Sequence, residues 1–286
     1  MPRQLWSLPL EAQSRGLSLA REAQRLLVWT DTHWLFWTNS KGERQAQSHF
    51  PSPIVAAAIS EDGSAFVVAE ADGRLSWLAP DLQPRWERKL KGKPTALAID
   101  PLGLVAAIAT NQGQIAFYYA DGEPAHEVAC PRPAQHLAFV PGTAILIAAA
   151  DIGWVAAYDL KSHECLWRDS PVATIGGLAV AAKGEPVLLA CFSEGLRGYS
   201  SSGKPLTTTA HRTPCRGVAV SHDAETIAIL QLDGVITGHG NDVAPRFSYR
   251  PDASVVDMAM GAFGETLFLA QGNRRVVAID VRDTAK

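Results

Sequence analysis

Short apolar runs with a small residue at the centre recur about every forty residues along this chain. Ala58 stands in "AAAIS", Ala98 in "ALAID", Ala138 in "HLAFV", Ala179 in "GLAVA", Ala219 in "GVAVS" and Ala259 in "DMAMG". One step further back falls Ser18, in "GLSLA". Self-similarity at such a period marks a repeat architecture, in which each unit buries its apolar faces against its neighbours.

Two turn markers keep the same phase. The first is a glycine: Gly73, Gly113, Gly153, Gly195 and Gly234, with His33 and Arg274 in its place in the first and last units. Glycine there supplies the positive φ of a tight hairpin turn. The apolar residues that follow lie two apart, as in Leu35 and Trp37, Leu75 and Trp77, Ile115 and Phe117, and so share one face of a strand. The second marker is the turn in "EDGS", "PLGL", "VPGT", "AKGE" and "AFGE". Each unit therefore reads strand, turn, strand, turn, strand, loop, outer strand, which is one four-stranded propeller blade. Seven units fill residues 1–286 as one domain. The pattern predicts an all-β, seven-bladed β-propeller of four-stranded antiparallel blades. Leu10 to Arg15 is the one stretch read as a short helical turn.

The ends of the chain predict how the ring closes. Trp86, Trp167 and Phe247 mark outer strands in alternate units, and Trp6 lies in the same phase. The last unit stops after its third strand, "RVVAIDV". Residues 3–10 are expected to supply the missing outer strand and so remove the exposed edges of an open sheet.

"VAVSHDAETIAIL" and "AAAISEDGSAFVV" resemble the first two strands of WD-repeat propellers. "AYDLKSHECLW" and "RVVAIDVRD" resemble blades of quinoprotein-like propellers. The WD dipeptide survives as Tyr158-Asp159 and Ile279-Asp280, and Gly238-His239 falls on a third strand. The hydrogen-bonded tetrad of WD repeats is therefore expected to be missing from most blades. Packing by Trp37, Trp77, Phe117 and Tyr199 between neighbouring blades should replace it. The quinoprotein resemblance implies a cofactor and a calcium site. The chain has no vicinal cysteine pair and no calcium loop of the EF-hand kind. No cofactor is expected.

Catalytic motifs are missing from the sequence. It has no nucleophile elbow, P-loop or dinucleotide fingerprint, and "SSSGK" reads as a turn in the fifth blade. No two histidines have metal-pair spacing. A propeller can still gather groups at its central channel, where Gln135, His136, Thr174, Arg216 and Asp257 are the candidates. An enzyme or small-molecule sensor at that mouth, lactonase-like or quinone-linked, is the alternative function.

The leading expectation is a non-catalytic protein-interaction scaffold, a monomeric propeller within a larger assembly. Its partner would be a protein or peptide bound on the loop face, because loops on a rigid frame carry most function. Hairpin loops contribute Asp31, Glu70, Asp72, Asn111, Asp151, Glu194, Asp233 and Asn273. The outer-to-inner connections contribute Lys89, Lys91, Lys93, Arg132, His211, Arg212 and Arg250. Asp31, Asp72, Asp151, Glu194, Asp233, Lys91, Arg132 and Arg212 are the candidate contact residues.

A net charge of -3 gives no reason to expect nucleic acid or an anionic membrane as partner. No apolar run approaches the roughly 20 residues that span a bilayer. "MPRQLWSLPLEAQSRG" lacks the apolar length of a signal peptide, so a cytoplasmic location is expected. Cys130, Cys165, Cys191 and Cys215 read as buried free thiols. In "VWTDTHWLFW", Trp34 and Phe36 read as core residues.

Overall fold

The computed structural model describes residues 2–240 and 244–282, without side chains at 207–211. The described residues form twenty-eight strands in seven four-stranded antiparallel sheets. In the first blade the order is Ser14–Ala20, Arg25–Thr30, Trp34–Thr38 and Arg44–His49, from the channel outwards. The innermost strands of the other blades are Ile54–Ile59, Pro94–Ile99, His136–Phe139, Ile175–Val180, Cys215–Val220 and Val255–Met260. Every centre residue of the forty-residue repeat lies on one of these seven strands. One 3-10 turn, Ala182–Gly184, is the only helical piece among the described residues. The helical turn expected over Leu10 to Arg15 does not form, because the chain bends there and enters the first inner strand at Ser14. No helix among the described residues is long and apolar enough to cross a membrane.

The hairpin turn keeps its positive φ even without glycine. His33 and Arg274 take φ of 66° and 61°, as the five glycines of that phase do with 52° to 88°. At the inner strands of blades five and six, glycine serves close approach. A Cβ on Gly176 would lie 2.7 Å from the Arg216 carbonyl oxygen.

Seven apolar clusters hold the ring together, and each draws its residues from two neighbouring blades. Trp77, Phe117 and Tyr199 are fully buried in three of them. Trp37 is partly buried and packs on Phe66 of the second blade. The seventh cluster joins Leu17, Leu26, Val28 and Phe36 of the first blade to Phe268, Val276 and Ala278 of the last.

Closure follows the sequence expectation, ending one residue earlier. Arg3–Pro9 pairs antiparallel with Arg275–Asp280 and becomes the outer strand of the last blade. Trp6 packs on Phe268 of its own sheet, and its indole donates to Ser40 O of the first blade at 2.9 Å. That contact recurs. Trp86 donates to Ala120 O and Trp167 to Ser201 O, each at 2.9 Å and each in the following blade. Beneath each indole lies a glycine of the receiving turn. A Cβ on Gly42, Gly122 or Gly203 would meet Trp6, Trp86 or Trp167 at 2.7, 3.1 or 2.5 Å. These tryptophan–glycine clasps explain the spacing of Trp6, Trp86 and Trp167, whereas Phe247 covers Gly238 of its own blade. Trp37 reaches Pro80 O in the same manner from a third strand. Between blades three and four, His126 stacks on His163 with centroids 3.6 Å apart.

Two burial expectations are corrected. Trp34 is 37% exposed, because it opens its strand at the loop end, where it meets His49 edge-on. Phe36 is buried as expected. All four cysteines are free; Cys191 and Cys215 are buried, Cys130 is half-buried and Cys165, on an outer strand, is exposed.

Candidate interaction face

Hairpin turns and outer-to-inner connections meet on one end of the ring, as backbone hydrogen bonds between them show. Leu90 N donates to Gly73 O at 2.8 Å, Asn111 N to Lys93 O at 2.9 Å and Ile175 N to Asp151 O at 2.7 Å. The eight candidate contact residues all lie on this loop face, in two groups. Asp72 is 3.7 Å from both Arg74 and Lys89, Glu194 is 3.4 Å from Arg197, Asp233 is 3.4 Å from Arg250, and Lys91 is 3.7 Å from Glu127. Exposed pairs of this kind contribute about 0–1 kcal/mol to stability, but they cancel much of the charge offered to a partner. Asp31, Asp151, Arg132 and Arg212 are exposed and carry no ion pair among the described residues. Glu70 is not part of the exposed ring. Its side chain is buried, accepts a hydrogen bond from Ser52 N at 3.0 Å, and has its pKa raised by that burial. The side chain of His211 lies outside the described residues, at the end of the strand Pro205–His211.

The loop face also carries an apolar arc that the charge pattern did not reveal. Ile152, Val172, Phe192 and Leu232 are exposed on successive loops of blades four, five and six, with Val172 at 89%. Ile152 pairs with Thr174, and Thr174 O accepts the Phe192 amide at 2.9 Å, so these loops are tied together. A sequence signal existed. Units two and three place Ala71-Asp72 and Asn111-Gln112 at the hairpin tip, whereas units four to six place Ile152, Phe192 and Leu232 there.

Of the channel candidates, Gln135 and His136 line a channel cavity of about 390 Å³. Ala56, Ala58, Ala98 and Leu178 also line it. Burial lowers the pKa of His136, whose Nε2 lies 3.4 Å from Ile175 O. Asp257 is half-buried on the last inner strand. Burial pushes its carboxyl up to about 6, against the amides of Leu17 and Met258 that bond it. Thr174 sits in a loop and Arg216 is half-buried at the strand start, so the five candidates do not form one cluster. Among the described residues, no three His, Cys, Asp or Glu side chains gather as a metal-ligand set.

At the opposite mouth a charged group crosses the channel. Glu61 of blade two accepts from Arg21 of blade one through the backbone N at 2.7 Å, Nε at 2.9 Å and Nη2 at 2.7 Å. His222 of blade six approaches the same carboxylate at 3.4 Å. Burial works to raise the Glu61 pKa, but the His222 contact and the Arg21 guanidinium outweigh it and hold the carboxyl at about 2.

No protein-family model matches the chain, and no curated protein compared with it is similar in sequence.

Proposed function

We propose that the protein is a non-catalytic interaction scaffold that holds a protein partner on the loop face of blades four to six. The apolar arc of Ile152, Val172, Phe192 and Leu232 carries this reading. Exposed apolar side chains grouped on one rigid surface mark interaction sites on soluble proteins. The arc lies beside Arg132, entering blade four, and Arg212, entering blade six, neither of which has an ion pair among the described residues. An apolar centre with a charged rim is the usual anatomy of a protein interface. The unpaired arginines favour a partner with acidic residues around its apolar contact. Kinship with degenerate WD-repeat-like propellers, and a cytoplasmic place in a larger assembly, belong to the same proposal.

The test is co-purification of the tagged protein from its own cells, repeated with V172D/L232D and with R132E/R212E. A stoichiometric partner should be retained by the native protein. It should be lost with V172D/L232D and weakened at least tenfold with R132E/R212E, at unchanged melting temperature. A partner that binds all three proteins equally would sink the proposal.

A further inference from the structure

On the face opposite the loops, the turns between first and second strands are linked from blade to blade by one repeated hydrogen bond. The amide two residues past the inner strand's end donates to the same carbonyl in the next blade. Glu61 N donates to Pro101 O at 3.0 Å, Ala182 N to His222 O at 3.0 Å and His222 N to Ala262 O at 2.8 Å. Pro101 and Pro141 occupy the donor position in blades three and four and have no N–H to give. In blade one the Arg21 amide bonds the Glu61 carboxylate instead.

The junction between the last blade and the first is different. Ala262 has an N–H and Arg21 a carbonyl, yet neither has a partner among the described hydrogen bonds. Arg21 is drawn towards Glu61 on the other side. A pocket of about 440 Å³ opens at this seam, lined by both residues. Its apolar wall is Leu5, Leu19, Phe263 and Phe268, with Phe263 itself 76% exposed. Glu22 and Glu265 also line it, and neither is in an ion pair among the described residues. Arg282, whose charge reaches Glu265, is held by Asp280 at 2.9 Å.

We propose that this seam pocket docks an extended peptide segment of a partner protein, one that carries an apolar side chain beside a lysine or arginine. Three features select that occupant. A free amide and a free carbonyl at one cleft offer a peptide backbone the two bonds that the neighbouring turns make with each other. The volume lies within the range of ligand pockets and takes one or two side chains against Leu19 and Phe268. Two carboxylates without an ion pair among the described residues favour a cation beside the apolar side chain and disfavour an acidic one. The site is on the far side of the ring from the loop face, so it stands or falls separately from the scaffold reading.

The whole protein would be panned against a random heptapeptide library displayed on phage. Enriched sequences should place an apolar residue within two positions of lysine or arginine. As synthetic peptides, they should lose at least tenfold in affinity for E22K/E265K and for F263D, with melting temperatures unchanged, and bind V172D as they bind the native protein. No enrichment, enrichment of acidic peptides, or affinity indifferent to E22K/E265K overturns the proposal. So does loss of binding in V172D alone. If the native protein sediments as a dimer that E22K/E265K dissociates, the occupant is a second copy of this chain and the proposal is wrong.

Discussion

His33 and Arg274 occupy left-handed backbone that the other units give to glycine. An L residue at such a position costs about 1–2 kcal/mol, partly offset by the entropy glycine loses on folding. Arg274 offers the cleaner test, since among the described residues its side chain makes one hydrogen bond, an exposed one of 3.5 Å to Glu11 O. Arg274→Gly should stabilise the protein by about 0.5 kcal/mol, raising the thermal midpoint by about 1–2 °C. A lowered midpoint would mean that the side chain matters more at the closing blade than its contacts indicate. Single residues are legible in the sequence where backbone geometry sets the residue, as at these turns. They are not legible where a residue's place along its strand decides exposure. Trp34 alternates like a core residue, but it sits at the loop end of its strand, where blades no longer cover it. The loop charges lie on one end of the ring, as their turn positions predict. Their pairing with Arg74, Arg197 and Arg250 depends on side-chain reach, which spacing does not encode.

At the scale of elements, strand order and closure were legible because both follow from phase. The small residues fix the inner strands, and a missing fourth strand at one end matches a spare one at the other. The tryptophan–glycine clasps were only half legible. The aromatic period was visible, but its meaning needs the receiving glycine in the next blade, and that contact is seen only once the blades are side by side. The closing strand carries one clasp and brings Trp6, Leu8 and Leu10 to the seventh cluster. Deleting residues 1–12 therefore removes apolar cover from Phe268 and leaves the strand Arg275–Asp280 as an unpaired edge, a template for aggregation. The truncated protein should melt at least 10 °C lower and elute partly as aggregate on size exclusion. An unchanged melting temperature would show that the ring does not depend on this strand.

For the whole molecule, the seven clusters each join only neighbours, so ring-wide contacts are few. The contact of Glu61 with His222 is one, since it links blade two to blade six across the channel past blades seven and one. The carboxylate falls from the ordinary glutamate value of 4.5 to about 2, a difference of about 3 kcal/mol in favour of the folded ring. A depressed carboxyl pKa stabilises above the unfolded value and ceases to do so as pH falls through the folded one. Glu61→Gln should therefore lower stability by about 3 kcal/mol at pH 7, with Arg21 left half-buried beside a neutral partner. The deficit should shrink progressively between pH 4.5 and 2, as the native carboxyl takes up its proton. Denaturant unfolding of both proteins across that range measures it directly. A deficit that stays constant to pH 2 would assign the loss to side-chain packing around Glu61, and the ring would then be held by its neighbour-to-neighbour clusters without an ionic tie across the channel.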